Sequence, residues 1–515
     1  MKQGRNAKAV MRPRKEDRQV EPNHSQARRW HRPNIVLVLA DDLGYGDVGC
    51  YNSDSRIPAP HLDRLAAGGL RFTDAHSAAA VCTPSRYGLL TGRYCWRSPL
   101  KRSVLYSYEP PLIEPNRCTL ASILRQEGYR TACIGKWHLG LGFTAKRGES
   151  IDFNRPLPWG DADRALEEKI DYSQPLWGGP IELGFDTFFG TSGCSTCQPP
   201  FAFIEDERFV EAPSFYNERF PYTGRPGMTA PGWKHSEADP TFIQKAVEFI
   251  ESCSSSGRPF FLYLAASAPH EPCVESVVPE FARGRSEAGP RGDLVWLFDW
   301  MVGQVVQVLE RCGQLESTLV FVTSDNGALP GDRVQGPDGR DEYRIHGHRS
   351  CGELRGYKAH IWEGGHREPL IVSWPGIVPA GTVCNNLVCL NDLPATVADL
   401  LEIELPDHSA EDSISFLPLL LAANGMLPGT AVRQDLVHHS GAGVFSIRRG
   451  SWKLIHETRG SGGWPPPTGG GPERGSKGQL YDLKEDPGEE HDLFDREPDL
   501  VRYLIAQLEQ VQKSQ

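Results

Sequence analysis

No segment of the chain approaches the roughly 18 to 20 consecutive apolar residues that a bilayer-spanning helix needs. The 515 residues contain no internal repeat. The N-terminus lacks the apolar core of a signal peptide, so the sequence as written reads as unexported and without a transmembrane segment. Excess positive charge is missing from the body of the chain. The net charge is −11, yet residues 1–32 hold ten Lys/Arg against three Asp/Glu, a local +7 that leaves the remainder near −18. A body so acidic is a poor surface for nucleic acid. The basic stretch itself has almost no apolar residues and no periodicity, which marks a disordered leader. A zinc-finger signature is absent too. Thirteen cysteines are irregularly spaced, and the C-x-x-C pair Cys194 and Cys197 has neither a second pair nor a His-x-x-x-His partner. It reads as ordinary loop cysteines or a local disulfide.

What is present is material for a large core. With 39% hydrophobic residues, a chain of this length supports one large domain and a smaller one. From Pro33 onward, short apolar runs alternate with amphipathic helical stretches. Ile35–Ala40 reads as the first strand, Pro60–Ala67 and Leu120–Glu127 as helices, and Arg130–Ile134 as a strand. Phe242–Ile250 reads as a helix leading to the strand Phe260–Ala265. The stripe Leu294, Leu297, Phe298, Met301, Val302 and Val305 is a core-facing helix before the strand Thr318–Thr323. This is the pattern of an α/β fold with a large, mostly parallel central sheet sandwiched by helices. Beyond about Gly425 the runs Val444–Ile447 and Trp452–Ile455 flank a Gly/Pro-rich loop at Gly460–Gly475, and a final helix starts near Pro498. The expected division is a leader at 1–32, a catalytic domain at 33–425 and a small C-terminal subdomain at 426–515.

Polar residues follow the ends of four of these strands: Asp41-Asp42, Lys136 with His138, His270, and Asp325-Asn326. Ligands of open α/β sheets bind outside the carboxyl ends of the strands, so one pocket can collect all of them. Asp41, Asp42, Asp325 and Asn326 offer only oxygen, which suits a hard cation such as calcium and not zinc. Taken singly, an Asp-Asp pair is a cap or turn and Asp-Asn-Gly is a hairpin turn.

The stretch Cys82-Thr-Pro-Ser-Arg86, continuing through Leu90-Thr-Gly-Arg93, changes that balance. Pro84 suits the first turn of a helix and Gly92 its end, so Ser85–Thr91 reads as a short helix with Cys82 just ahead of it, at a terminus whose N–H groups favour an anion. The stretch resembles the signature of the formylglycine-dependent type I sulfatases of the alkaline phosphatase-like superfamily. Ala40-Asp41-Asp42-Leu43-Gly44 and Ser324-Asp325-Asn326-Gly327 resemble that family's metal segments. Gly135-Lys136-Trp137-His138, Ala268-Pro269-His270 and Gly356-Tyr357-Lys358 with Glu363-Gly364-Gly365-His366-Arg367 match further elements.

The resemblance implies an alkaline phosphatase-like sheet with a smaller C-terminal α+β domain carrying an antiparallel sheet. It also implies hydrolysis of an aryl sulfate or a sulfated carbohydrate. Cys82, oxidised by a formylglycine-generating enzyme, becomes the nucleophile, since a hydrated aldehyde offers one hydroxyl to attack sulfur and another to expel sulfate. One calcium ion is held by Asp41, Asp42, Asp325, Asn326 and the modified Cys82. Asp325 is the base, Arg86 orients the hydrate, and Lys136, Lys358 and His270 bind sulfate. His270, with Lys358, protonates the leaving alcohol, and His138 takes the proton that frees sulfate. Ser195 is the candidate for a further sulfate contact, and His346–Arg349 with Arg355 for substrate selection. The family points to a periplasmic or extracellular site of action, against the unexported reading above. A phosphonate or phosphodiester hydrolase of the same fold, and a sulfated-glycan-binding protein that lacks turnover, stay open as alternatives.

Overall fold

Asn34–Ala40 forms strand β1, and all seven residues are buried. Ile35, Leu37 and Leu39 enter one apolar core while Val36, Val38 and Ala40 enter another, as the two-residue period of a strand covered on both faces dictates. The computed structural model describes residues 32–152, 161–218, 226–329, 346–422, 432–458, 460–463 and 477–514. The basic leader before Arg32, the expected boundary near Gly425 and most of the 460–475 loop lie outside the described residues.

The strands that follow are β2 (Leu70–His76), β3 (Arg130–Lys136), β4 (Thr187–Thr191), β5 (Ile204–Glu205), β6 (Arg208–Phe209), β7 (Phe215–Asn217), β8 (Gly227–Thr229), β9 (Phe260–Ala265), β10 (Thr318–Ser324), β11 (Arg367–Ser373), β12 (Thr382–Cys384) and β13 (Val388–Cys389). The main sheet runs in the order β12-β2-β11-β10-β1-β9-β3-β4-β5-β6, with β13 also on β2 and the β7–β8 pair separate. Its centre, β10-β1-β9-β3-β4, is parallel throughout. The α/β expectation therefore holds, with a sheet that turns mixed toward its edges. Strand β11 is antiparallel to both β10 and β2, so β2 runs in the same direction as the central block. The sequence reading passes over β2 and β11 because Arg71, Thr73, Asp74, Arg367 and Glu368 interrupt their apolar runs.

Helices cover both faces. Leu89, Leu120, Leu124 and Val397 pack into one core; Leu62, Phe242, Ile250, Leu294 and Met301 pack into the other. The predicted stripe from Leu294 to Val305 lies in the helix Gly289–Arg311. Four further strands, β14 (Asp435–His439), β15 (Phe445–Arg449), β16 (Trp452–His456) and β17 (Gly478–Asp482), form a sequential antiparallel sheet. Leu436, Ile447, Leu454 and Leu480 from this sheet pack on Val501, Leu504 and Leu508 of the helix Pro498–Lys513. Among the described residues no helix is long and apolar enough to cross a membrane.

One glycine fixes the strand end that matters most. Gly135, the residue before Lys136, has φ of 112°, a backbone region that side chains disfavour. A Cβ there would stand 1.9 Å from the Ala265 carbonyl oxygen of the neighbouring strand. Gly135→Ala is expected to cost about 3 kcal/mol or more through combined strain and clash, read as a lowered thermal midpoint. A midpoint within about 2 °C of wild type would show that β3 and β9 can separate without penalty.

Candidate active site

All the predicted polar residues that follow strands leave the same edge of the sheet. Asp41-Asp42 follow β1, Lys136 ends β3, His270 follows β9 and Asp325-Asn326 follow β10. Because β2 shares that direction, the segment after His76 emerges there too and leads into Cys82. Because β11 runs the opposite way, the segment that precedes it, with Lys358, arrives at the same edge.

Cys82 is the first residue of the helix Cys82–Thr91, behind an extended Val81. The helix thus begins three residues earlier than the sequence suggests, and Cys82 belongs to its first turn. Gly92 closes the helix in the left-handed conformation, φ 67°, as expected. The Cys82 thiol donates to Asp41 Oδ1 at 3.5 Å. Burial pushes its pKa up despite the nearby Lys136 and Lys358.

Asp41 is the hub. Lys136 Nζ lies 2.6 Å from its Oδ2, and Arg86 Nη2 is 3.6 Å from its Oδ1. Arg86 also donates through Nε to Asp325 Oδ2 at 2.9 Å and through Nη1 to the Lys136 carbonyl at 3.0 Å. Lys358 Nζ is 2.7 and 2.8 Å from the two oxygens of Asp42. Asn326 Nδ2 donates to Asp42 Oδ1 at 2.7 Å. His270 Nε2 stands 3.7 Å from Asp42 Oδ2. Asp42 itself adopts φ of 70°, a strained choice for a non-glycine residue that structures hold at functional sites. Asp41, Asp42, Asp325, Asn326, Arg86 and Lys136 are wholly buried, and Lys358 and His270 nearly so.

Charge partners and burial set the protonation of this group. Burial works against the Asp41 carboxylate, but Lys136, His270 and Arg86 together hold it well below the usual range. Burial and the neighbouring Asp41 charge push Asp325 up to about 6, against Arg86 and Lys136. Burial opposes the charged forms of Lys136 and Lys358, yet Asp41 raises the first and Asp42 the second. Burial likewise opposes a charged His270, but Cys194 and the two aspartates outweigh it and raise the ring well above its ordinary value. His138 moves the other way, lowered by burial and by Lys136 and Arg86. Its Nε2 is 2.8 Å from the Leu105 carbonyl, which places the proton on Nε2, and its buried Nδ1 has no hydrogen-bond partner.

The oxygen set fits a hard cation. Three buried carboxylates converge, and the buried Asn326 Oδ1 has no hydrogen-bond partner. A buried amide oxygen left without a partner is costly unless a proton donor or an ion meets it. One ligand atom each from Asp41, Asp42, Cys82 and His270 lies within 4.8 Å of the others.

Not every predicted residue points into this group. The Ser195 hydroxyl donates to Ser267 Oγ at 2.7 Å. Its neighbour Cys194 reaches the cluster instead, with Sγ 3.3 Å from Lys136 Nζ and 3.8 Å from Asp41 Oδ2. No disulfide joins Cys194 to Cys197; both lie in the turn after β4, as the loop reading has it, and both are buried in the wall of the site. The C-x-x-C spacing was the only signal in the sequence that could have drawn attention to them. His348 is bound to Asp47 at 2.8 Å, and Arg355 stacks 3.9 Å over the Trp362 ring and donates to the Glu489 carbonyl. Both are held in the surrounding structure.

Comparison with known proteins identifies the family. A curated N-acetylgalactosamine-6-O-sulfatase of Bacteroides thetaiotaomicron is 32% identical over 503 residues, covering 93% of each chain. Arylsulfatase A of Bos taurus is 33% identical over 500 residues, covering 93% of this chain and 87% of the bovine one. A solved Bacteroides thetaiotaomicron structure, described under the metabolism of multiple glycosaminoglycans, superposes with a TM-score of 0.78 at 29% identity, covering 94% of this chain and all of that one. A sulfatase structure from Pseudoalteromonas sp. superposes with a TM-score of 0.71 at 25% identity, covering 95% of this chain and 92% of its own. Residues 33–403 match the sulfatase family, and the chain therefore belongs to the sulfatases, a family of sulfuric ester hydrolases.

Proposed function

We propose that this sulfatase hydrolyses sulfate esters of carbohydrates, with formylglycine made from Cys82 as nucleophile and one calcium ion held by Asp41, Asp42, Asp325 and Asn326. The observation that carries the reading is the meeting of Cys82, three carboxylates and the cations Arg86, Lys136 and Lys358 in one buried volume. Such a volume binds an anion and a hard cation side by side. The carbohydrate class is favoured by the relative named as an N-acetylgalactosamine-6-O-sulfatase and by the neighbour from glycosaminoglycan metabolism. An aryl sulfate is the competing substrate class.

Oxidation of Cys82 by a formylglycine-generating enzyme supplies, in the hydrated aldehyde, one hydroxyl to attack sulfur and a second to expel sulfate. Asp41, Asp42, Asp325 and Asn326 would hold the calcium ion, which when bound would supply Lewis-acid polarisation of the attacking hydroxyl and of a sulfate oxygen. Asp325 accepts a proton, while Arg86, donating to it at 2.9 Å, fixes both Asp325 and the helix that carries Cys82. Lys136 and Lys358 neutralise the non-bridging oxygens as charge shifts. His270, held in its charged form by Asp41, Asp42 and Cys194, donates to the leaving alcohol. His138, neutral and with Nδ1 open, receives the proton that releases sulfate. Ser195, whose hydroxyl is engaged by Ser267, is set aside as a sulfate contact.

Intact-peptide mass spectrometry of active enzyme is expected to show the Cys82 peptide lighter by about 18 Da, the mark of a thiol oxidised to an aldehyde. Cys82→Ala should abolish sulfate release while leaving the thermal midpoint nearly unchanged. Turnover by that variant, or a higher kcat/KM for phosphodiesters than for sulfated sugars in wild type, sinks the assignment. Chelation followed by dialysis is expected to lower the thermal midpoint and stop turnover. Calcium at about a hundredfold excess over its Kd should restore about 2.7 kcal/mol of stability. A midpoint indifferent to both treatments removes the ion from the account.

A further inference from the structure

A second donor set of different chemistry lies in the same pocket wall. One ligand atom from each of Cys194, Cys197 and His270 lies within 4.8 Å of the other two. Cys197 Sγ is 3.9 Å from His270 Nδ1. Metal bonds of about 2.3 Å to sulfur and 2.0 Å to nitrogen, in a tetrahedron, put those two atoms about 3.5 Å apart. Small side-chain rotations cover the difference. Cys194 Sγ is also 3.8 Å from Asp41 Oδ2, but that oxygen is held by Lys136 at 2.6 Å, so the fourth position falls to solvent. Lys136 Nζ stands 3.3 Å from Cys194 Sγ, a cation beside one of the two sulfurs.

The histidine is also oriented for this role. His270 Nδ1 is 2.9 Å from its neighbour's carbonyl, Glu271 O, and the opposite nitrogen, Nε2, faces Asp42 Oδ2 at 3.7 Å. Loss of the Nδ1 proton frees that nitrogen for an ion and leaves the Nε2 proton pointed at a carboxylate, the arrangement that supports most metal-bound imidazoles. Two sulfurs and one nitrogen select a thiophilic ion, whereas the oxygen-rich group a few ångströms away selects a hard one.

We propose that Cys194, Cys197 and His270 form a site for zinc-class ions that shuts the pocket. Binding forms two metal–sulfur bonds and one metal–nitrogen bond and releases three protons to solvent, one from each thiol and one from His270 Nδ1; nothing is oxidised or reduced. An ion there removes His270 from the substrate and places the Cys194 thiolate against Lys136, so a sulfate ester is excluded. The inhibitory consequence rests on the reading of His270 and Lys136 as sulfate-facing; the metal site does not.

The test uses reduced, calcium-saturated enzyme titrated with cobalt(II). One equivalent should produce thiolate-to-cobalt charge-transfer absorption with tetrahedral d–d bands, displaced by zinc and retained in Cys82→Ala. Zinc should inhibit turnover, with sulfated substrate protecting. Cys197→Ser, with Cys197→Ala as a second variant, should keep near wild-type turnover, lose the absorption and raise the half-inhibiting zinc concentration about 10-fold or more. No charge-transfer band after reduction, a band unchanged in both Cys197 variants, or a sulfur-free octahedral spectrum overturns the site. A band accompanied by undiminished turnover overturns the inhibitory role and counts against His270 facing sulfate.

Discussion

Neither the acids nor the bases at the sheet edge tolerate burial alone. Asp41, Asp42 and Asp325 are fully buried, and so are Arg86 and Lys136. An uncompensated ion in such a place costs several kcal/mol even after the surroundings relax. Each sign therefore holds the other, and the pairing is specific: Arg86 spans Asp325 and Asp41, Lys136 takes Asp41, and Lys358 takes Asp42. Arginine is the side chain suited to the bridging position, because its planar fork meets two acceptors and a backbone carbonyl at once. The parallel strands β10, β1, β9 and β3 supply a rigid frame for all of this, so the positions of the charges follow from the register of the sheet.

Three of the participants do not come directly off that parallel frame: Cys82 and Arg86 share one helix, and Lys358 lies ahead of β11. Cys82 and Lys358 arrive on connecting segments, and the antiparallel C-terminal sheet braces both. Ala80 donates its N–H to the His439 carbonyl and His439 donates to Ala78, so the end of β14 runs alongside the approach to Cys82. Ala359 donates to the Ala80 carbonyl, which ties the Lys358 segment to the Cys82 segment. Farther along that segment, Glu363 is bound by Lys453 of β16 at 3.0 Å, and its N–H donates to Glu489 Oε2 at 2.6 Å. Arg448 of β15 grips Asp74 of β2 at 2.9 Å through both terminal nitrogens. Between them His76 Nδ1 meets His366 Nδ1 at 3.1 Å. A buried network this well connected fixes one relative placement of the two sheets, and with it the distance from Lys358 to Cys82.

How much of this was legible depended on sequence separation. The short motifs around Cys82, Asp41, Lys136 and Asp325 encode their own local turns, and alternation in β1 and β9 reveals buried strands. Those signals sit within a few residues of each other. The Arg86 bridge joins positions 239 residues apart, and the Lys453–Glu363 contact spans 90. No local pattern announces either. Strands β2 and β11 carry charge because their ends line a polar junction, so the residues that make them useful also hide their periodicity. Ser195 and Cys194 are adjacent and alike in size. Only the turn after β4 decides which of the two faces Lys136, and the turn selects the thiol.

The two histidines of the site show how placement within one charged cluster produces opposite chemistry from the same side chain. Both are buried, and burial alone would make each neutral. His138 sits with Lys136 and Arg86 as its strongest electrostatic neighbours. Cations reinforce the effect of burial, and the ring stays a neutral base with one nitrogen committed to the Leu105 carbonyl. His270 meets the cluster from the side of Asp41 and Asp42. There the negative partners exceed the cost of burial and the opposing Lys358, so the ring stays charged. Pairs of titratable groups driven apart in this way separate proton donor from proton acceptor within one pocket. The separation needs no difference in residue type, because the sheet brings one ring to the cationic side of Asp41 and the other to its anionic side.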